Sequence, residues 1–415
     1  MAAPITVYVP LDSAAVALGA DEVASAIANE AKKRGADVTI VRNGSRGMHW
    51  LEPLVEVTVG GKRLGYGPVQ ETDVKGLFDM GFLEGKKHAL SLGAVEEIPY
   101  FKNQERLIFK RCGTTDPLSL QDYEAHGGLK GLKRALHIEP KAVVEEVKSS
   151  GLRGRGGAGF PAGIKWETVA GISADQKYVV CNADEGDSGT FADRMIMEGD
   201  PFLLIEGMAI AGIATGATQG YVYLRSEYPI AARVFETALK KAREAGVLGK
   251  SVLGSGKAFE LELFMGAGAY ICGEESSLLN SLEGKRGEVR ARPPIPAIAG
   301  LNGKPTVLNN TITFCSVPYV LAEGAAAYKN FGRGRSLGTM PFQLAGNIKR
   351  GGLVEKAFGV TLRQLAEDFG GGTRSGRPLR AIQVGGPLGA YLPQSLFDLP
   401  MDYEAFATKG AGVGH

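Results

Sequence analysis

The sequence lacks several features that would assign it to a common functional class. Its four cysteines lie too far apart to form a CxxC pair or a metal-ligand cluster. Lysine and arginine number 47 against 45 aspartates and glutamates, and the resulting net charge of +2 gives no strong field for nucleic acid or an anionic membrane. We therefore expect reduced thiols, no metal site and neither of those partners.

Targeting and membrane signals are also lacking. No basic residue precedes Lys32, and no apolar core with a cleavage site follows the N-terminus, which argues against a signal peptide. The uncharged stretch 207–224 is about one membrane span in length, but its Gly, Thr and Gln residues are typical of a buried helix followed by a strand. We predict a cytoplasmic protein without direct membrane insertion.

Glycine, in contrast, is abundant. The 59 glycines are about twice the usual share of roughly 7%. Glycine serves where the backbone takes positive φ or approaches a ligand closely, so the excess predicts binding sites lined by backbone.

Hydrophobic periodicity divides the chain into α/β segments. The first segment should contain strands at 5–10 and 38–41, a helix at 21–33, and a hairpin of strands 54–59 and 62–66 around Gly60-Gly61. A connecting region follows, with a strand at 106–110 and a helix at 140–149. The central segment should contain helices at 161–170, 201–214 and 230–245 and strands at 178–182, 220–226 and 260–267. The last segment predicts strands at 342–346 and 381–384 and a helix at 362–368.

The sequence from Gly154 to Gly159 matches GxGxxG, in which backbone NH groups approach a pyrophosphate. A standard Rossmann unit needs a strand before this loop, whereas the preceding residues predict a helix. Arg153, Arg155 and Lys165 would place positive charge beside a phosphate. A flexible loop without a ligand remains an alternative at this point.

Polar residues follow three apolar segments. Asp184, Glu185 and Asp187 follow the strand at 178–182, where carboxylates can accept hydrogen bonds from ribose hydroxyls or a carboxamide and repel an additional phosphate. Glu274 and Glu275 follow an apolar segment, 270–272, that we expect to be a strand. The pair Asn309-Asn310 follows residues 306–308 and suits the edge of a flavin ring. Turns and helix caps explain each segment equally well when it is taken alone.

Together, four blocks carry a specific resemblance: GLRGRGGAGFPAGIKW, VVCNADEGDSGTF, GAGAYICGEESSLLNSLEGKRGEVRARPPIPA and KPTVLNNTITF. Across residues 129–314 the chain resembles the flavoprotein (NADH-binding) subunit of respiratory NADH dehydrogenases. The same family includes the diaphorase subunits of soluble NAD-dependent formate dehydrogenases, which are the nearest match, and of bidirectional hydrogenases.

The resemblance implies a multi-domain α/β fold. Residues 1–90 would form a degenerate thioredoxin-like ferredoxin domain, with Ser45, Met48 and His49 where cluster-binding relatives carry cysteines. Residues 91–335 would form a Rossmann-like FMN- and NADH-binding domain with non-standard wiring, and residues 336–395 a ubiquitin-like (β-grasp) domain. Residues 396–415 would begin a C-terminal iron-sulfur domain whose 4Fe-4S cysteine ligands are not in this sequence, which suggests that the sequence is incomplete.

The resemblance also implies site residues. Those around FMN would be Gly154, Arg155, Gly156, Gly157, Lys165, Asn182, Asp184, Tyr270, Gly273, Glu274, Asn309, Asn310 and Thr313. Those near NADH would be Phe160, Glu185, Asp187 and Glu275, with Glu185 as the catalytic residue that orients the carboxamide. Thr168 and Ile295 replace phenylalanines that stack on the adenine in relatives, and Asp187 replaces a glutamate that helps to exclude NADPH.

The implied function is hydride exchange between NAD(H) and FMN, with single electrons passing to or from iron-sulfur clusters. The implied partners are a small 2Fe-2S electron-transfer subunit and a larger iron-sulfur, substrate-oxidising subunit. Formate is the first expectation for the partner's substrate, because of the cluster-free N-terminal extension. A bidirectional hydrogenase or a respiratory NADH dehydrogenase is the alternative, followed by a flavoenzyme acting alone and by a scaffold without a cofactor.

Overall fold

The N-terminal region of the computed structural model, which describes residues 4–414, contains a five-stranded sheet. Its elements are β1 (Ile5–Tyr8), α1 (Ser13–Ala17), α2 (Ala20–Arg34), β2 (Val38–Val41), β3 (Val55–Val59), β4 (Lys62–Tyr66), α3 (Val74–Asp79) and β5 (Ser91–Ala94). The strand order is β2-β1-β3-β4-β5, with β1 and β2 parallel and the other neighbours antiparallel.

Local sequence explains the elements of this region. Helix α2 buries Val23, Ile27 and Ala31 on one face, and Gly35 ends it at a φ of 65°. Val59 pairs with Lys62, so the predicted hairpin is confirmed. Its two turn glycines have φ of 56° and 77°, which favours glycine at both positions.

The connecting region is helical and irregular. Its helices are α4 (Pro99–Lys102), α5 (Leu120–Ala125), α6 (Lys130–His137) and α7 (Pro140–Ser149), the last with the predicted bounds. The strand predicted at 106–110 is wrong. Backbone NH groups of Leu107, Ile108 and Phe109 donate to the buried carboxylate of Glu355, at 2.9–3.0 Å, instead of to a neighbouring strand.

A parallel four-stranded sheet forms the centre of the molecule. Its strands are β6 (Tyr178–Ala183), β7 (Gln219–Leu224), β8 (Glu260–Met265) and β9 (Thr306–Asn310), in the order β8-β7-β6-β9. The surrounding helices are α8 (Ala162–Gly171), α9 (Ala192–Gly199), α10 (Pro201–Thr215), α11 (Pro229–Glu244), α12 (Glu275–Leu282), α13 (Pro296–Ala299), α14 (Thr311–Glu323) and α15 (Ala325–Lys329). Because the strands are parallel, their carboxyl ends share one edge.

Helix α10 explains the uncharged stretch in the sequence. All of its residues are buried, and β7 follows it, as predicted. Within residues 4–414, no helix combines the length and apolarity needed to cross a membrane.

The last region consists of short antiparallel pairs and turns. Its elements are β10 (Gly332–Arg333), β11 (Ser336–Leu337), β12 (Thr339–Leu344), β13 (Gly352–Ala357), β14 (Ala381–Val384), β15 (Ala390–Pro393) and α16 (Tyr403–Ala407). The helix predicted at 362–368 is a π-helical turn, Gln364–Phe369. Met340 and Phe406 share a buried core with Met48 and Tyr100 of the earlier regions, so this region packs firmly against the rest.

Candidate functional site

A pocket opens at the carboxyl edge of the parallel sheet. Its volume is about 290 Å³, at the lower end of the range of roughly 300–1,000 Å³ that is usual for ligand sites. It is lined by Gly156, Asn182, Asp184, Gly186, Asp187, Asp193, Tyr270, Ile271, Gly273, Glu274 and Asn310. All four sequence blocks contribute to this lining.

The sheet register explains why distant blocks meet. Asn182 on β6 lies directly beside Asn310 on β9. The side-chain amide of Asn182 donates to the carbonyl of Gly273 at 2.8 Å, which ties the turn before α12 to the same edge. The predicted strand at 270–272 is wrong, because Tyr270–Gly273 forms a 3₁₀ turn.

The glycine-rich loop lies directly above this edge. The NH of Gly154 donates to the carbonyl of Phe160 at 2.8 Å and closes the loop. Within residues 4–414, the backbone NH groups of Gly156, Gly157 and Ala158 have no acceptor, and all three residues are exposed. As predicted, the loop follows a helix, α7, rather than a strand. The loop therefore presents several donors from exposed backbone.

The start of α14 supports this loop. The hydroxyl of Thr313 accepts a hydrogen bond from the NH of Arg155 at 2.9 Å, and Asn310 caps the helix by accepting from the NH of Ile312 at 2.8 Å. A Cβ on Gly156 would lie 3.2 Å from Cβ of Asn310, so the loop and the helix end approach closely. Loop NH groups and a helix N-terminus thus converge at the pocket.

Arg155 does not act as the sequence predicts. Its side chain is buried and donates to the carbonyls of Arg153, Leu337 and Thr339 and to the hydroxyl of Tyr328, at 2.7–3.2 Å. We expected its charge beside a phosphate; in this structure four protein oxygens accept hydrogen bonds from its guanidinium. Arg155 instead fastens the loop to the last region.

The charge of Arg153 is also directed away from the pocket. Its guanidinium donates to the carbonyl of Gly159 and to a carboxylate oxygen of Glu404, both at 2.6 Å, and lies 4.3 Å from the ring centroid of Tyr403. Lys165 lies 3.2 Å from Oε2 of Glu275 and 3.3 Å from the carbonyl of Leu308. Neither Lys165 nor Glu275 lines the pocket.

The surroundings of Asp184, which lines the pocket, shift the pKa of its carboxyl group. Burial raises its pKa to about 6, with Glu227 adding to the effect and Arg225 opposing it. Its Oδ2 is buried and has no hydrogen-bond partner within residues 4–414. Asn309 Oδ1, at the end of β9, is likewise buried and unpartnered within that range. A buried acceptor without a hydrogen-bond donor lowers the stability of the folded state, and a bound ligand can supply the missing donor.

Glu185 lies behind the pocket rather than in it. Its side chain is 2% exposed, and its carboxylate accepts hydrogen bonds from the NH groups of Asp193 and Arg194 at 3.1 and 3.2 Å. The hydroxyl of Tyr228 donates to the same carboxylate at 3.1 Å. We expected Glu185 to face the dinucleotide; in this structure its carboxylate caps the first turn of α9.

Asp187 and Tyr270 both line the pocket and contact each other directly. The Tyr270 hydroxyl donates to Oδ1 of Asp187 at 2.7 Å, and this hydrogen bond raises the pKa of Tyr270. Gly186 lies beneath the ring, since a Cβ there would stand 2.9 Å from Cδ2 of Tyr270. Phe160, predicted near NADH, is 46% exposed and is not part of the lining.

Glu274 has the capping role that the sequence left open. It accepts hydrogen bonds from the NH groups of Ser276 and Ser277 at 2.9 Å and begins α12. Although burial opposes ionisation, these bonds and Arg292 lower the pKa of Glu274. It lines the pocket at the same time, so capping and ligand contact are compatible here.

Sequence reasoning missed three lining residues, namely Gly186, Asp193 and Ile271. Asp193 is the second residue of α9, and the side-chain amide of Asn310 donates to its Oδ2 at 2.9 Å. No helix is predicted from the sequence at this position, and an acid in the first turn of a helix is in any case common. Gly186 and Ile271 adjoin predicted residues, and their lining role depends on the turn at 270–273.

Ser45, Met48 and His49, which we predicted to stand at the positions of cluster cysteines, are packed by protein atoms. Ser45 donates to Glu52 at 2.6 Å, and Met48 is fully buried. His49 lies 4.7 Å from the ring of Phe191, and burial lowers its pKa to about 4. Within residues 4–414 there is no group of three His, Cys, Asp or Glu residues arranged to hold a metal ion.

Comparison with known proteins shows which family the sequence resembles. Residues 147–319 match the model of the Nuo51 FMN-binding domain. The chain is 49% identical, over 75% of its length, to the NADP-reducing hydrogenase subunit HndC of Solidesulfovibrio fructosivorans, and spans 64% of that protein. It is 44% identical to an NADH-quinone oxidoreductase subunit of Rhizobium meliloti, covering 75% of this chain and 74% of the relative.

A solved structure extends the likeness to the whole chain. The match to an NAD⁺-reducing NiFe-hydrogenase in the H₂-reduced state has a TM-score of 0.63 at 26% identity and covers 100% of this chain and 68% of the other. The N-terminal and last regions are therefore included in the structural match. The chain belongs to the NADH dehydrogenase flavoprotein family, whose members contain the Nuo51 FMN-binding domain.

Proposed function

We propose that this chain binds FMN and NADH in the pocket at the sheet edge and serves as the NADH-oxidising subunit of a multi-subunit dehydrogenase. The main supporting observation is the set of exposed loop NH groups at Gly156, Gly157 and Ala158, next to the capped start of α14. Loop NH groups beside a helix N-terminus form a phosphate site. The pocket is also lined by the carboxylates of Asp184, Asp187 and Glu274, which can accept hydrogen bonds from hydroxyl and amide donors of a ligand.

The residues present fit FMN. The loop backbone would hold its phosphate, because these NH groups lack protein acceptors within residues 4–414. Asn309 Oδ1 and Asp184 Oδ2 are buried acceptors without donors in that range, and the edge of a flavin ring offers NH donors. A Cβ on Gly156 would crowd Asn310, so glycine at this position lets the loop lie close to the start of α14. FMN, when bound, takes a hydride from NADH and releases the two electrons one at a time.

The opposite side of the pocket suits the dinucleotide. Asp187 and Tyr270 offer a carboxylate and an exposed ring at the surface of the pocket. The carboxylate can accept a ribose hydroxyl, whereas an additional phosphate would meet Asp187 and Asp184 and be repelled. Glu185 acts as a positioning residue, because it holds the start of α9 behind this surface.

The larger complex is also part of the proposal. Electrons would leave through iron-sulfur centres: a 4Fe-4S cluster, a small 2Fe-2S subunit and a larger iron-sulfur subunit that oxidises the substrate. Formate is our first candidate for that substrate. Hydrogen is the second, favoured by the match of the whole chain to the hydrogenase structure. Assaying the native complex for NAD⁺ reduction by formate and by hydrogen separates the two.

Flavin binding tests the proposed function directly. Full-length chain titrated with FMN should quench flavin fluorescence, and anaerobic NADH should bleach the flavin absorbance. The methyl group that Gly156→Ala adds would crowd Asn310. This variant should weaken FMN binding about tenfold, since overpacking costs roughly 1–3 kcal/mol. Gly171→Ala, where a Cβ meets nothing within 4 Å, is the control. A wild-type chain that takes up no FMN would refute the proposal.

A further inference from the structure

The turn between β14 and β15 reaches the pocket from the last region of the chain. Gly386 in this turn has a φ of +75°, and a Cβ on it would lie 3.1 Å from Oδ2 of Asp187. Asp187 lies about 200 residues earlier and lines the pocket. The backbone of a separate region therefore bounds one oxygen of a pocket carboxylate.

The other oxygen of this carboxylate is held as well. The Tyr270 hydroxyl donates to Oδ1 of Asp187 at 2.7 Å. Asp187 is thus placed between a hydrogen-bond donor on one side and the Gly386 backbone on the other. The Cβ of any side chain at residue 386 would lie closer to Oδ2 than an ordinary van der Waals contact and would shift the carboxylate by a few tenths of an ångström.

The last region contacts the loop that carries Asp187, residues 184–192 (the acidic loop), at a second point. Oε1 of Gln343, on β12, accepts hydrogen bonds from the NH groups of Phe191 and Ala192, the latter at 3.0 Å. These NH groups stand at the start of α9, a few residues beyond Asp187. The loop from 184 to 192 is therefore fixed relative to the last region near both of its ends.

The turn that carries Gly386 is itself well braced. The NH of Gly389 donates to the carbonyl of Gly386 at 3.0 Å. The side-chain amide of Gln383 donates to the carbonyls of Pro387 and Gly389 at 3.0 and 3.3 Å. Such a turn can hold a neighbouring carboxylate in place rather than yield to it.

We propose that Gly386 is a positioning residue that keeps the Asp187 carboxylate at the mouth of the pocket and thereby sets the preference for NAD(H) over NADP(H). A carboxylate at this place accepts a ribose hydroxyl and repels the phosphate that NADP(H) carries instead. Glycine is required for two reasons: its positive φ and the lack of space beside Asp187. The inference rests on the proposed function of the pocket.

Paired glycine variants separate this role from a general loss of stability. Gly376 has a φ of +74° in the same region, and a Cβ there meets nothing within 4 Å. Gly386→Ala and Gly376→Ala should therefore suffer similar backbone strain, while Gly386→Ala alone disturbs Asp187. The measurement is the pair of dissociation constants for NAD⁺ and NADP⁺, by calorimetry on the FMN-loaded full-length chain.

The expected result is a change in selectivity at one glycine. The ratio of the NADP⁺ to the NAD⁺ dissociation constant should fall roughly twofold in Gly386→Ala, because a Cβ at residue 386 shifts the Asp187 carboxylate by a few tenths of an ångström, and the shifted carboxylate repels a phosphate less. The ratio should be unchanged in Gly376→Ala, and FMN affinity should be unchanged in both variants. Asp187→Asn should lower the ratio at least as far as Gly386→Ala.

Each contrary result identifies what has failed. An unchanged ratio in Gly386→Ala or in Asp187→Asn, or an equal fall in Gly376→Ala, overturns the inference. If Gly386→Ala does not fold, Gln383→Ala loosens the turn at an exposed position, and an unchanged ratio there overturns it too. A wild-type chain that binds FMN but neither dinucleotide refutes the proposed function instead.

Discussion

The hydroxyl of Tyr228 donates a hydrogen bond to Oε2 of Glu185 at 3.1 Å, behind the wall of the pocket. Burial and the neighbouring Glu185 raise the pKa of Tyr228, so the hydroxyl stays protonated and available as a donor. The same carboxylate accepts from the NH groups of Asp193 and Arg194. The acidic loop and α9 are therefore joined through one buried glutamate.

We expect Tyr228→Phe to weaken dinucleotide binding without loss of FMN. Removing the hydroxyl takes a donor from a buried carboxylate, which costs about 1–3 kcal/mol and lets the acidic loop shift. KM for NADH should rise several-fold more than kcat falls, as steady-state kinetics with an artificial electron acceptor would show. Glu185→Gln should act in the same direction. The carboxylate accepts one NH group of α9 with each oxygen, whereas a glutamine side chain has only one acceptor oxygen and its NH₂ group donates.

Tyr319→Phe is the control for this experiment. Tyr319 lies on α14, where its ring contacts Tyr328 and Phe331 away from the acidic loop. Its kinetics should match those of the wild type. Equal effects of the variants at 228 and 319, or no effect at 228, would contradict the role assigned to Tyr228.

Asp184 should make the stability of the FMN-free chain depend on pH. Burial raises the pKa of this carboxyl to about 6 from an ordinary value near 3.8. The folded state therefore binds the proton more tightly than the unfolded state. The contribution of this tighter binding to the free energy of unfolding is complete below about pH 4 and is lost as pH rises through 6. Asp184→Asn should be more stable than the wild type at pH 8, by on the order of 1 kcal/mol after discounting for solvent screening.

Urea unfolding at several pH values measures this difference, which should close as pH falls from 8 to 4. Asp175→Asn provides a control of opposite sign. Its hydrogen bond to Lys304 lowers the pKa of Asp175, so this variant should be less stable than the wild type near neutral pH, and that difference should fade in acid. A pH-independent effect of Asp184→Asn would refute the assignment.

We expect Arg155→Lys to loosen the glycine-rich loop. A lysine ammonium cannot serve the three carbonyls and the Tyr328 hydroxyl that the planar guanidinium reaches, so buried oxygens lose their donors. The loss should be about 3 kcal/mol in the free energy of unfolding, with faster release of FMN. Arg233→Lys, at an exposed position on α11, should change neither quantity. Unaltered stability in Arg155→Lys would contradict the anchoring role.

Ser13 should stabilise the contact between the N-terminal region and the central region. Its NH and hydroxyl donate to the two carboxylate oxygens of Glu198 at 2.8 and 2.6 Å. Ser13→Ala should lower the free energy of unfolding by about 1–2 kcal/mol, because a hydrogen bond to a buried carboxyl group is lost. Ser25→Ala, whose hydroxyl donates to a backbone carbonyl on the surface of α2, should have a smaller effect. Chemical denaturation of the two variants tests this contact, and equal losses would argue against it.

Several features of the site could be read from local sequence. The glycine-rich loop, its helical prelude and the acids after β6 depend on short-range patterns, and the structure shows each of them. Pocket contact by Asn182, Asp184, Asp187 and Gly273 also agrees with the residues expected. The failures concern direction: Arg155 and Glu185 stand in the right segments but point into the protein. Local sequence specifies where a side chain begins and not which partners attract it.

Local sequence patterns specify the helices and strands and the polar groups at their ends. Apolar periodicity fixed helices such as α2 and α7, and glycines at positive φ fixed turns such as 60–61. Which charged side chains face the pocket depends on contacts between segments that are distant in the sequence. Buried carbonyls at Leu337 and Thr339 draw the Arg155 guanidinium inward, and Gly386 meets Asp187 although about 200 residues separate them. Both outcomes depend on satisfying buried polar groups between distant segments, and no local pattern encodes that requirement.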